Sequence, residues 1–392
     1  MPPASRPPEI KALAGARAFP PLILVLFHFC EGHGYRGAGW FDMPVGKGYL
    51  WVEFFFALSG FILIHVYGPR APEFRRGKAY WPFLQARLSR LYPLHVFTLF
   101  SMLFLMLALD ALADLGGYVS IYHQPYHPMN TLWSFVASLF LVQGWNLFPW
   151  LTWNGASWFV SVEFFLCLLF PVFVLLSRGG WLRAFALVGA GVAALTFMSR
   201  ISGHGLDITF HDSVFRGMAG FAIGAGLATL FRLANDAGAG RLPDWVHSAV
   251  QAAALGFLYW ATYRTGWAHQ PNDIWTALAL DTLVFVLAFD RGFLAQALST
   301  AVPRKLGEWS YAVYMGQTFW LQLVRTCEQR LYPPPDSVVF GQRFADLIWW
   351  IEPVALVLVC VGWGALLAVF IEHPANAALR RMFSRRKQAL AT

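Results

Sequence analysis

The sequence predicts an all-α polytopic membrane protein, a single domain over residues 1–392 with about ten transmembrane helices. Hydrophobic residues make up 57% of the chain and charged residues 13%, against about 25% charged in an average soluble protein. Aromatic residues contribute 17%, which suits lipid contact and interfacial anchoring. The basic residues lie in short clusters between apolar runs, as the positive-inside rule expects. A soluble globule is therefore excluded, and the net charge of +8 does not indicate binding to nucleic acid.

A helix needs about 20 apolar residues to cross a bilayer core of roughly 30 Å. Eleven stretches fit that template, centred near residues 22, 58, 101, 140, 167, 192, 222, 255, 281, 318 and 359. Both ends of the chain are basic, with Arg17 near the first stretch and Arg380 in the tail, so both termini are expected in the cytoplasm and the number of spans should be even. We expect the first stretch to be a retained span rather than a signal peptide.

The stretch at 131–150 is the one that should not cross. If it crossed, Arg178 and Arg183 would fall on the outer side, against the positive-inside rule. We therefore predict ten spans and a re-entrant or interfacial segment at 131–150. The core extends from about 10 to 375, followed by a basic cytoplasmic tail at 376–392. These features predict a multi-pass membrane protein with both termini in the cytoplasm.

Three ionisable side chains inside the predicted spans are candidates for chemistry, because such groups are costly in a membrane. His28 lies near the outer end of the first span, and Glu53 and Glu163 are expected at a similar depth in two other spans. A carboxylate beside the imidazole would fix its tautomer and raise its basicity. A hydrogen-bonded imidazole and a structural ion pair are the alternatives, and they stay open.

Three arginines on the inner side are candidates for binding an anion. Arg17 precedes His28 by eleven residues, which on a continuous helix places both on nearly one face, about 16 Å apart. Arg87 and Arg90 are three residues apart and would present two cations to phosphate groups. Contact with lipid headgroups is the alternative. The four cysteines show no metal-ligand or redox spacing, so we expect no metal.

Two further polar residues lie within the predicted spans. Asp281 is mid-span and Arg216 lies near the outer end of its span; a proton relay and an internal salt bridge each explain them. Ser59 and Gly60, in the sequence LSG, are expected to permit close helix packing rather than to supply a nucleophile.

Six segments in order resemble the acyltransferase 3 family of integral membrane enzymes, which O-acylate bacterial surface glycans. The segments are the spacing from Arg17 to His28, then GYLWVEFFFALSGFIL, RLSRLYPL, SWFVSVEFFLCLLFP, LGEWSYAVYMGQ and FIEHPA. They cover nearly the whole chain. The sequence departs from the family at Gln317, where the family usually has histidine, and at the double proline of the first span.

The resemblance implies transfer of an acyl group, most commonly acetyl, from cytoplasmic acyl-CoA to a hydroxyl of an extracytoplasmic glycan or glycolipid such as exopolysaccharide. It implies that His28 is the general base or a transient acyl carrier, oriented by Glu163 or Glu53. It further implies that the phosphate groups of the donor are bound by Arg17, Arg87 and Arg90. The expected substrate-binding residues are Trp158, Tyr311 and Gln317.

Two other classes fit part of the sequence. A proton-coupled transporter or flippase of a glycan or lipid-linked precursor also has many spans with buried histidine and carboxylates, but the halves of this chain show no paired, glycine-broken helices. An assembly subunit of a glycan export complex explains the membrane fold and leaves the polar residues without a role. Oligomeric state is left open by the sequence.

Overall fold

The computed structural model describes residues 7–32, 45–111, 129–266, 272–331 and 341–389, and this part of the chain contains helices and no strand. The predicted all-α class is confirmed. The α-helices are numbered in chain order: α1 Lys11–Ala16, α2 Phe19–Gly32, α3 Trp51–Tyr67, α4 Ala71–Arg75, α5 Tyr80–Ala111, α6 Leu132–Leu139, α7 Ser157–Leu176, α8 Trp181–Ile201, α9 Ser213–Asp236, α10 Asp244–Thr265, α11 Asp273–Leu287, α12 Phe293–Leu298, α13 Ala301–Leu331, α14 Gly341–Leu367 and α15 His373–Ala389.

Within the described ranges, seven helical segments are long and apolar enough to cross a membrane: Lys11–Gly32, Gly48–Arg75, Tyr80–Leu109, Ser157–Leu176, Trp181–Ile201, Ser213–Asp236 and Ile351–Ser384. The helices α10, α11 and α13 lie at the three remaining predicted positions, and a total of ten spans stays a prediction. Most residues of α3 and α9 are buried within the protein, whereas most of α8 is not. The centre of the bundle therefore lies around α3 and α9.

The segment at 131–150 forms no spanning helix, as predicted. Its helix α6 has 8 residues, about 12 Å of length, and is followed by irregular chain up to α7. The hydroxyl of Thr131 caps α6 by accepting a hydrogen bond from the Ser134 amide at 3.1 Å. His95 of α5 hydrogen-bonds through Nε2 to the Ser138 carbonyl at 2.7 Å, which holds this segment against the bundle.

The first span is interrupted between α1 and α2, at Arg17 and Ala18. Pro20 and Pro21 lie in the first turn of α2, where a missing backbone N–H leaves no hydrogen bond unmade. Arg17 and His28 were expected to lie on one face only if the first span is a continuous helix. Because the helix is interrupted between them, their spacing in the sequence no longer places them on the same face. The two residues line different cavities, described below.

Glycines allow α3 and α9 to pack with their backbones in contact. A Cβ atom added to Gly60 would lie 2.2 Å from the Phe221 carbonyl oxygen, and one added to Gly224 would lie 1.9 Å from the Ala57 carbonyl oxygen. Small residues at such positions are the usual means of close helix contact in membranes. The packing role expected for Gly60 is what the structure shows.

We predict that Gly224→Ala destabilises the protein by about 1–3 kcal/mol, because the new methyl group would overlap the α3 backbone. The matched control is Gly189→Ala in α8, where an added Cβ meets no atom within 4 Å. Unfolding by SDS in mixed micelles, followed by tryptophan fluorescence, gives the comparison. Equal midpoints for the two variants would contradict the close contact.

Candidate active site

An inner cavity of about 90 Å³ lies between α3, α5, α7 and α13. Its polar lining consists of Arg17, Arg87, Arg90, Ser59, Glu163, Ser310 and Tyr311. The structure thus brings together the three arginines that the sequence singled out, from two separate segments of the chain. Three guanidinium groups and one carboxylate among these residues leave an excess of positive charge, which suits an anionic ligand.

Arg87 and Glu163 form an ion pair across this cavity. The Arg87 guanidinium donates a hydrogen bond to Glu163 Oε1, and Ser59 Oγ donates to the same oxygen at 3.4 Å. Both charged side chains are nearly buried, 12% and 10% exposed. A charge in such a place needs a partner, and Arg87 takes up the carboxylate that the sequence analysis expected beside His28.

A larger vestibule of about 590 Å³ adjoins the inner cavity, and Arg17 and Arg90 line both. Its further basic residues are Arg304, Lys305 and Arg380. Arg304 contacts Glu9 at 3.3 Å and Lys305 contacts Glu308 at 3.0 Å. The volume is within the range of roughly 300–1,000 Å³ that small-molecule sites occupy. The end of the bundle that carries this vestibule is called the basic side below.

Glu372 is a site residue that the sequence analysis missed. It lies in a π-helical turn, Ala368–Glu372, lines the vestibule with Arg17 and Arg90, and is 5% exposed. Its Oε2 atom makes no hydrogen bond. Single π-helical turns are frequent at functional sites. The available signal was the acidic residue inside FIEHPA, at the end of a long apolar run.

An outer cavity of about 170 Å³ contains His28, together with Trp158, Asp207 and Tyr314. Tyr314 lines the inner cavity as well, so the two cavities share a lining residue. The three cavities therefore form a series through the bundle, joined by Arg17 and Arg90 at one step and by Tyr314 at the next.

The carboxylate next to His28 is Glu31, whose Oε2 lies 3.6 Å from the imidazole Nδ1. Glu163 and Glu53, the two carboxylates expected to orient His28, are each bound to an arginine in this structure. The signal for Glu31 was its i+3 spacing from His28, which puts both on one face of α2. The catalytic assignments of His28, Glu163 and Glu53 stay predictions.

Glu53 of α3 forms a buried ion pair with Arg216 of α9. The Arg216 Nε donates to Glu53 Oε1 at 2.5 Å, and neither side chain is exposed. The same guanidinium donates to the carbonyls of Ile208 and Tyr49, each at 3.2 Å. A proton relay and an internal salt bridge were the two alternatives for Arg216, and the structure shows an internal salt bridge.

A second buried pair supports the wall of the outer cavity. Lys47 Nζ lies 2.7 Å from Asp273 Oδ1, and Asp273 Oδ2 accepts hydrogen bonds from the Tyr49 hydroxyl at 2.6 Å and the Leu206 amide at 3.1 Å. Burial lowers the pKa of Lys47, and the Asp273 carboxylate opposes that effect. This cluster fixes the chain next to Asp207. The Lys47–Asp273 pair was not predicted from the sequence, because its two residues are 226 positions apart in the chain.

The three residues assigned to substrate lie in different places. Trp158 forms part of the outer cavity, with the Arg216 guanidinium 5.6 Å from the centre of its ring. Tyr311 lines the inner cavity and donates to the Leu91 carbonyl at 2.7 Å. Gln317 is buried, neither polar atom of its amide has a hydrogen-bond partner, and it lies outside the linings of these three cavities.

A family model described as an acyltransferase domain matches residues 10–371. The chain belongs to the acyltransferase 3 family. It is 27% identical over 417 residues to the acyltransferase MdmB of Streptomyces mycarofaciens, covering 97% of this chain and 95% of that protein. A shorter match, 35% identical over 122 residues, covers 31% of this chain and 60% of protein 2 in the picA locus of Rhizobium radiobacter. No solved structure matches.

The family match establishes that this protein is an enzyme that transfers acyl groups within a multi-pass membrane domain. The resemblance drawn from the six sequence segments is thereby confirmed. The acyl donor, the acceptor and the residue roles are not set by the comparisons and are treated as proposals below.

We predict that Glu53→Gln lowers stability by about 3–5 kcal/mol, because it leaves the Arg216 charge buried without a counter-charge. The double variant Glu53→Gln/Arg216→Gln should recover part of the loss. The control is Asp244→Asn, which removes an exposed partner of Arg291 and should cost less than about 1 kcal/mol. The same SDS unfolding assay measures all three. A single variant as stable as the control would be evidence against a tightly buried pair.

Proposed function

We propose that this enzyme transfers an acyl group, typically acetyl, from cytoplasmic acyl-CoA to a hydroxyl of an extracytoplasmic glycan or glycolipid such as exopolysaccharide. The observation that carries the proposal is the series of three cavities, with arginines at one end and His28 at the other. A donor with an anionic head and a long, thin, uncharged arm matches that shape. The basic side then faces the cytoplasm of a bacterial inner membrane, as do both termini.

The vestibule supplies what the phosphate groups of the donor need. Arginine forms paired hydrogen bonds to phosphate oxygens and keeps its charge at any physiological pH. Arg17 and Arg90 lie where the vestibule meets the inner cavity, so they would hold the donor where its narrow arm begins. Glu372, between the same two arginines, would keep their guanidinium groups in place while the site holds no donor.

His28 is positioned to act on the acceptor at the far end of the arm. As a general base it removes the proton from the acceptor hydroxyl, whose oxygen attacks the thioester carbonyl; the C–S bond breaks and the thiolate of CoA takes up a proton. As a nucleophile it first forms an acyl-imidazole and releases CoA, and the hydroxyl then attacks that intermediate. Glu31 beside Nδ1 would stabilise the imidazolium formed when the general base takes up its proton.

The acceptor would approach from the side opposite the basic side. The outer cavity offers the aromatic faces of Tyr49, Trp158, Phe210 and Tyr314, and such faces stack well on sugar rings. Membrane lipids surround the bundle, and no metal takes part in the proposed chemistry. The acceptor hydroxyl and the thioester meet without either substrate crossing the membrane completely.

We predict that His28→Ala reduces acyl transfer at least about 10²-fold, the usual contribution of a positioned acid–base group, while the protein folds normally. The measurement uses purified protein in vesicles, labelled acetyl-CoA and matched protein amounts. The control is His65→Gln in α3, a histidine that stacks on Phe61 away from the cavities. Acid quenching separates the two roles of His28, since only the nucleophilic route leaves label on the wild-type protein. Full activity of His28→Ala would refute the assignment.

We predict that Arg90→Gln raises the KM for acetyl-CoA by about 10- to 100-fold with a small change in kcat, because a lost hydrogen bond between charged groups costs about 1.5–3 kcal/mol. Arg232→Gln is the control, an arginine near the end of α9 that contacts only the Gly179 carbonyl, at 3.4 Å, among the hydrogen bonds of the described chain. Initial rates of CoA release over a range of donor concentrations provide both constants. An unchanged KM would remove Arg90 from the donor site.

A further inference from the structure

A small polar pocket lies beside the outer cavity and has no role in the chemistry above. It has a volume of about 10 Å³, enough for one water molecule or one hydroxyl group. Three of its lining residues, Gln143, Thr152 and Asn154, are more than nine-tenths buried. Each carries a side-chain oxygen that makes no hydrogen bond. Buried polar atoms without a partner are rare in folded proteins and call for an explanation.

The hydrogen bonds donated by the side-chain NH₂ groups of Gln143 and Asn154 set the orientation of both amides. Gln143 Nε2 donates to the carbonyl and the hydroxyl of Ser157 at 3.2 and 3.0 Å. Asn154 Nδ2 donates to the carbonyl of Met315 at 3.0 Å. Because a carbonyl oxygen can only accept, neither amide can be turned over without losing these bonds. Both amide oxygens are therefore left to accept hydrogen bonds, and Thr152 adds a hydroxyl that can accept or donate.

The missing partner is a neutral hydrogen-bond donor. No charged residue lines the pocket among the described residues, so a cation there would be buried without a counter-charge. The Arg216 guanidinium also stacks on Trp158, a wall of the pocket, and would repel a cation. A hydroxyl group can donate its one hydrogen to one of the amide oxygens and accept a hydrogen bond from the Thr152 hydroxyl, at no electrostatic cost.

The pocket opens on the place where the acceptor is expected. Five of its lining residues also line the outer cavity that contains His28: Leu151, Gly155, Trp158, Thr209 and Phe210. A molecule in the outer cavity could therefore extend one group into the pocket. Trp150, whose indole ring could stack on a sugar, lines the pocket on its other side.

We infer that this pocket receives a second hydroxyl group of the acceptor, so that the enzyme selects molecules with at least two neighbouring hydroxyls, as in a sugar ring. The inference rests on the proposed function, in which a first hydroxyl meets His28. Gln143, Thr152 and Asn154 are then acceptor-binding residues that decide which hydroxyl is acylated. They come from the segment between α6 and α7, and Gln143 lies within the stretch at 131–150 that is not expected to cross the membrane.

Two ring alcohols that differ by one hydroxyl group test the inference, namely cyclohexanol and trans-1,2-cyclohexanediol, with methyl β-D-glucopyranoside as a sugar. The full-length protein in vesicles receives labelled acetyl-CoA, and ester formation and CoA release are measured separately. We expect kcat/KM at least about tenfold higher for the diol and the glucoside than for cyclohexanol, because a monohydroxy acceptor leaves buried amide oxygens without a partner.

The decisive variant is Thr152→Val, which has the same shape and removes a hydroxyl that makes no hydrogen bond in the protein. It should lower kcat/KM for the diol and the glucoside about five- to tenfold, leave cyclohexanol and the KM for acetyl-CoA unchanged, and leave stability equal or higher. Thr152→Ser should retain the preference. The matched control is Thr276→Val in α11, where the hydroxyl is likewise buried and without a hydrogen bond.

Each other result overturns the inference. Equal loss with all three acceptors indicates a structural role, and no loss indicates a pocket that holds only an ordered water. CoA release without ester on any probe would mean that the pocket does not recruit hydroxyl compounds, while the donor half of the proposed function stands. No CoA release at all would refute the proposed function itself, and the inference with it.

Discussion

A guanidinium group inside a membrane protein needs a counter-charge, and this requirement determines where the carboxylates lie. Arg216 is bound to Glu53 and Arg87 to Glu163, because leaving either arginine alone would cost several kcal/mol. His28 lies beside Glu31, a neighbour on its own helix, while Glu53 and Glu163 are bound to arginines.

The same ion pairs depend on how closely the helices approach. A Cβ atom on Gly220 would lie 3.1 Å from Glu53 Oε2 and 2.9 Å from the Cβ of Phe56. Glycine at this position therefore leaves space in α9 for the carboxylate that Arg216 binds. Close packing and charge pairing at the α3–α9 contact support each other, since a wider separation would open the pair to water or break it.

The three cavities differ in the chemistry of their linings. Positive charge is concentrated in the vestibule and inner cavity, while aromatic side chains and His28 line the outer cavity. Arg17 and Arg90 line both the vestibule and the inner cavity, and Tyr314 lines both the inner and the outer cavity. The small polar pocket beside the outer cavity is the site that we propose for a second, neutral hydroxyl of the acceptor.

The sequence by itself determined the membrane class, the non-crossing segment at 131–150 and the clustering of Arg87 with Arg90, because apolar length, loop charge and i+3 spacing are local properties. It also identified the family through motifs in order. Only the tertiary structure decided which carboxylate meets which cation, and it alone revealed Glu372 at the arginines and the Lys47–Asp273 pair. These contacts join residues that are far apart in the chain. Their selection follows from helix approach and burial, which no single segment of sequence encodes.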